Sequence, residues 1–120
     1  MQVLVQHAKF DNKTGAVLGY TDVALVDATF TIDLDDALEY AYRYTNNVMG
    51  SWSIKERELG GMPNGDFNDD VTVLYTRPDG MGQRSTMMGD RMIVDGVTYK
   101  VAMMGFKKVE MEWAEGNYFD

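Results

Sequence analysis

The stretch Arg91-Met92-Ile93-Val94-Asp95-Gly96-Val97-Thr98-Tyr99-Lys100-Val101 decides the fold. Asp-Gly is a favoured two-residue hairpin turn because both residues accept positive φ, and apolar residues flank it on either side. Once the turn is placed, the register follows. Val94 faces Val97 and Met92 faces Tyr99 on one apolar side, while Ile93 pairs with Thr98 and Arg91 with Lys100 on the other. Two like charges face each other in the last pair, and Asp90 is the nearest acid able to offset them. The apolar pattern predicts that the second strand runs on through Met103 and Met104 to Phe106, with Gly105 permitting a bulge.

Upstream, Val71, Val73 and Tyr75 alternate with Thr72 and Leu74 as a strand that Arg77-Pro78-Asp79-Gly80 ends in turn chemistry. Near the start, Val3, Val5 and His7 alternate with Leu4, Gln6 and Ala8, and residues 11–15 supply a turn, so a first hairpin is expected. Its return runs through Ala16, Val17, Leu18 and Tyr20, and the next apolar stretch, Val23 to Val26 followed by Ala28, Phe30 and Ile32 in alternation with Thr29 and Thr31, fits a half-buried strand, either as one long bent strand with the return or as a second strand. One segment has a different period. Leu34, Ala37, Leu38, Ala41, Thr45 and Val48 fall on one helix face, with Asp33 as cap and Asp35, Asp36 and Glu39 where the helix dipole favours acids. Poor helix formers at Asn46 and Asn47 and a glycine at Gly50 mark its end, giving a helix over about 34–49. Residues 59–70, with Gly60-Gly61-Met62-Pro63-Asn64-Gly65, read as an exposed loop.

The fold class expected is α+β: one domain over residues 1–120, an antiparallel sheet of five or six strands on one main helix, and a small helical turn near residue 86. A chain of 120 residues can bury a core without staples. Zero Cys excludes a disulfide framework, a thiolate zinc site, an iron–sulfur cluster and a cysteine nucleophile. The single histidine, His7, has no second His or Cys to complete a zinc site and reads as a packed or surface residue. No apolar run reaches the length of a membrane span, and Met1-Gln2 is not a basic leader, so a soluble cytoplasmic chain with no membrane association is expected.

With 11 basic and 19 acidic residues the formal charge is −8, which disfavours direct nucleic-acid binding. The charge is unevenly spread. Residues 81–109 hold 5 basic and 2 acidic residues, whereas residues 110–120, an acidic aromatic tail, hold 4 acids and no base.

Candidate chemistry is sparse. Asp66, Asn68 and Asp70 have the spacing that opens a calcium loop, but the obligatory glycine falls on Val71 and the bidentate glutamate on Arg77, so a polar turn is the better reading. Ser51, Ser53 and Ser85 lack a nucleophile-elbow context, and no glycine pattern cradles phosphate. Neither catalytic residues nor a cofactor or metal is expected. Ten methionines are unusual. Of Met87, Met88, Met92, Met103 and Met104, most are expected in the core, with Met87 and Met88 as the exposed exceptions. Tyr42, off the apolar helix stripe, and Trp52 are candidates for contact with a partner.

Arg84-Ser85-Thr86-Met87-Met88-Gly89-Asp90, followed by Val94-Asp95-Gly96-Val97-Thr98-Tyr99-Lys100-Val101 and Gly105-Phe106-Lys107, resembles a C-terminal pattern of small proteins of phages, plasmids and integrative elements, a group described as YodL-like or antirestriction-associated. Residues 42–47 and Gly50-Ser51-Trp52 are similar to phage small-protein sequence as well. Met87 and Met88 depart from the pattern, where small or branched residues are usual. The resemblance implies a mobile-element origin and a role in takeover of a bacterial host or evasion of its defences.

The function expected is therefore non-enzymatic: an accessory protein in the host cytoplasm that binds a host bacterial protein, with acidic mimicry of nucleic acid as one route. Tyr42, Trp52, Arg84, Ser85, Asp90, Glu110, Glu112 and Glu115 are its candidate contacts, and self-association is compatible with it. A second class is a nucleotide-binding sponge in which Arg84, Arg77 and Lys107 meet phosphate and an aromatic ring stacks on the base. A third is a minor component of the virion.

Overall fold

The computed structural model describes residues 1–109. The expected acidic tail over residues 110–120, with Glu110, Glu112 and Glu115, lies outside them.

Among the described residues, β1 (Gln2–Phe10) and β2 (Val17–Asp27) form the long hairpin, followed by α1 (Leu34–Tyr44). A two-residue ladder of β3 (Glu58–Leu59) and β4 (Met62–Pro63) comes next, then β5 (Val71–Val73), β6 (Arg91–Val94), β7 (Val97–Val101) and β8 (Phe106–Lys108). Six strands make one antiparallel sheet in the order β5-β2-β1-β6-β7-β8, so the fold is α+β, with one helix among the described residues. The core lies between α1 and the sheet, where Val3, Val5, Val26, Ala37, Leu38, Ala41, Trp52 and Met92 are buried. No helix among the described residues is long and apolar enough to cross a membrane.

The Asp95-Gly96 hairpin has the register that its turn dictates, from Val94 opposite Val97 to Arg91 opposite Lys100. Both turn residues take positive φ, 50° and 77°, as a tight turn of this hand requires. The helix start is also as expected, because Asp33 accepts a hydrogen bond from the Asp36 N–H at 3.0 Å.

Several expectations fail, each for a local reason. The helix stops at Tyr44 rather than continuing to Met49. Thr45 turns its hydroxyl back to the Ala41 carbonyl and Asn46 its amide to the Tyr42 carbonyl, which competes with further helix. Val48 is exposed although it continues the apolar spacing.

The strand expected through Ala28, Phe30 and Ile32 is absent, since β2 ends at Asp27. Its partner β1 runs out there, and the Ala28 N–H reaches the carbonyl of Met1. Ile32 is left 94% exposed, while Phe30 meets the Tyr40 ring edge-to-face at 4.8 Å.

The segment 59–70 is not simply an exposed loop. Gly60 and Gly61 turn the β3–β4 ladder, and Asn64 and Asp66 are buried. The Asn64 amide donates to the carbonyls of Ser51 and Glu56, and its oxygen accepts from Ser51 N–H, so the side chain takes the place of a backbone partner inside the loop.

Near residue 86 there is no helical turn. The chain makes a tight turn in which Asp90 N–H donates to the Met87 carbonyl. Gly89 sits there at φ 98°, and a Cβ on it would lie 3.3 Å from the Phe10 ring.

Met103 and Met104 do not continue β7. Ala102 and Gly105 close a turn between β7 and β8, and these methionines are 85% and 90% exposed at its tip. Among the five methionines expected mostly in the core, Met92 alone is buried.

Candidate functional site

The segment 84–90 is held by a buried carboxylate. Asp90 is fully buried, and its Oδ1 accepts from Ala8 N–H and Arg84 Nη2, each at 2.8 Å. Its Oδ2 accepts from Arg84 Nη1 at 2.7 Å and Met87 N–H at 2.8 Å. The two remaining Nη hydrogens of Arg84 go to the carbonyls of Ser85 and Ala8. All four are thereby used, so Arg84 acts as a positioning residue, and its fork cannot also clamp a phosphate.

A second chain of hydrogen bonds leaves this site through His7. Thr45 Oγ1 donates to the Ala41 carbonyl at 2.7 Å, so its oxygen accepts the Thr86 hydroxyl at 2.8 Å. Thr86 in turn accepts from His7 Nε2 at 2.9 Å, which assigns the His7 proton to Nε2. Burial lowers the His7 imidazole from its usual 6.5 to about 4, against the pull of Asp90 and aided by Arg84. At neutral pH it is an uncharged link between β1, the exit of the helix and the 84–90 segment.

Trp52, expected to meet a partner, is fully buried. Its indole N–H donates to the Arg84 carbonyl at 2.9 Å, and the ring packs edge-on to His7 at 6.0 Å. The Ser85 hydroxyl accepts from Asn47 N–H and ties the segment to the helix exit. Asp90 is enclosed on all sides and cannot meet a partner. Tyr42 is half-buried, edge-to-face with Phe106 at 6.1 Å.

Asn68 and Asp70 both meet the Tyr40 hydroxyl, and Asp66 is turned away from them. Asp66 is fully buried and accepts from Val48 N–H, Met49 N–H and Arg43, whereas Asp70 accepts from the Tyr40 hydroxyl. No cluster of His, Cys, Asp or Glu among the described residues could hold a metal.

Two open surfaces flank the buried web. One is a cleft of about 300 Å³ between His7 and Lys9 of β1, Thr21 and Val23 of β2, and Tyr75, Arg77 and Gln83. It touches Arg84, yet none of its lining residues is an acid. The other is a groove of about 390 Å³ formed by Met88, Gly89, Val101, Ala102 and Met103 and bordered by Lys100 and Lys107. Arg77 and Arg84 thus meet at the cleft as the nucleotide reading requires, whereas Lys107 belongs to the groove.

The web that ties these elements together joins residues far apart in sequence. Val3, Val5 and His7 share the inward parity of β1, and that was the available signal for a buried histidine. Nothing local marks Thr45, Thr86 or Asp66, whose partners are set by tertiary contact. No family model, no curated protein and no solved structure matches the chain.

Proposed function

We propose that the chain is a non-enzymatic accessory protein of a phage or mobile element that binds a host protein, and that the contact surface is the methionine groove rather than an acidic face. The observation that carries this reading is the exposure of Met87, Met88, Met103 and Met104 on two adjoining turns, with Met88 and Met103 lining one groove. Flexible thioethers on an open surface suit partners of varied shape. Lys100 and Lys107 at its border give the groove a charge opposite to that of the whole chain, so the partner is an apolar segment flanked by acidic side chains.

The nucleotide-sponge reading has less support, because the Arg84 fork is fully engaged and Lys107 is in the other surface. Acidic mimicry rests on Glu110, Glu112 and Glu115, outside the described residues.

Affinity capture from host lysate, run in parallel with the wild type and a Met88→Glu, Met103→Glu variant, tests the reading. A stoichiometric host protein held by the wild type and lost by the variant is expected. Equal capture by both, or a co-eluting nucleotide with no protein, would overturn it.

A further inference from the structure

Strand β2 has an open edge. It is 11 residues long, but β5 pairs only with Ala24, Leu25 and Val26. One more bond, from Leu74 N–H to the Val23 carbonyl, ends the contact. Residues 18–22 therefore have β1 on one side and, among the described residues, no strand on the other.

The direction of their backbone groups follows from β1. Ala8 donates its N–H to Asp90 and its carbonyl accepts from Arg84, both on the side away from β2. Ala8 lies opposite Tyr20, so that pair is not hydrogen-bonded, and the Tyr20 N–H and carbonyl also point outward. Asp22, opposite Gln6 in the same uninterrupted register, has the same orientation. Two donors and two acceptors thus face outward at the spacing of an antiparallel ladder.

The acid-free cleft lies beside this edge. Thr21 supplies one wall, and a residue paired with it on an added strand would carry its side chain onto the same face, toward Lys9 and Arg77. Lys9 is exposed, and Arg77 is bound to Asp79 only at the surface, where such a pair exchanges readily. The net charge of −8 opposes a second copy in that place.

We propose that an extended peptide segment of a partner protein adds to β2 at Tyr20 and Asp22 and sets an acidic side chain against Lys9 and Arg77. This surface is separate from the methionine groove and does not depend on it.

The test is selection of random linear nine-residue peptides, displayed on phage, against the immobilised full chain, followed by calorimetry and amide exchange with the selected peptides. Enrichment of Asp or Glu is expected, with slowed exchange at the Tyr20 and Asp22 amides. Lys9→Glu with Arg77→Glu, and a Glu→Gln peptide, should each weaken binding about tenfold or more. Asp22→Pro removes an outward donor at the cost of one side-chain bond to Gln6 of β1 and should do the same; its folding is checked by circular dichroism, and if it fails to fold the charge reversal decides. No enrichment, selected peptides that leave Tyr20 and Asp22 unprotected, or binding that survives the charge reversal would overturn the proposal.

Discussion

Asp66 and Asp90 are both fully buried carboxylates, each met by one partly exposed arginine and by main-chain N–H groups. They differ in reach. Asp90 accepts from Ala8, 82 residues away, and takes both arms of Arg84, so it ties β1 to the 84–90 segment. Asp66 makes one contact with Arg43 and holds two consecutive amides, Val48 and Met49, in the bend that follows the helix. In both places a buried charge holds the backbone of exposed apolar side chains, Met87 in one case and Val48 and Met49 in the other. The contrast teaches that burying a carboxylate here fixes where the chain turns outward, and that the extent of the fold it secures depends on how many elements its donors come from.

The largest expected effect is Asp90→Ala. It leaves Arg84 and the Ala8 and Met87 amides without their acceptor, and urea unfolding should show a loss of about 4 kcal/mol. A loss no greater than that of Asp66→Ala would break the comparison.

His7 belongs to the Asp90 web alone and should make stability depend on pH. Its folded pKa, about 4, lies below the unfolded 6.5, so the unfolded chain binds the extra proton between these values. The contribution is fully present above about pH 6.5 and is lost as pH falls toward 4, at most about 3 kcal/mol in all. Urea midpoints from pH 7 to 4 should show this fall in the wild type beyond that in His7→Gln; parallel curves would exclude it.

Asp66→Ala should cost about 2 kcal/mol, since its main-chain partners lie in a bend closer to water. The smallest effect is expected outside both webs. Met88→Ser with Met103→Ser should leave the unfolding midpoint within about 0.5 kcal/mol of wild type while weakening host-protein capture, which separates surface from core.

These differences explain what the sequence could reveal. The 91–101 register was legible because a two-residue turn sets it locally, and the helix start because Asp33 caps within its own turn. The helix end was not legible. Val48 keeps the apolar spacing, and the acid that takes its amide is 18 residues on. Methionine burial departs from the expected pattern for a related reason, because the 84–90 segment faces its polar residues inward, Thr86 and Asp90, and its methionines outward. Arg84 and Asp90, expected as contacts for a partner, instead satisfy each other inside the fold. Trp52 carried no local sign of its place beneath the sheet, since an exposed anchor and a core residue have the same composition around them.

The most direct test of these two anchors is native-state hydrogen exchange at the amides of Met87, Val48 and Met49, whose side chains are exposed. All three should exchange slowly in the wild type, with Asp90→Asn accelerating Met87 alone and Asp66→Asn accelerating Val48 and Met49 alone. Exchange of these amides at unprotected rates in the wild type would contradict the account.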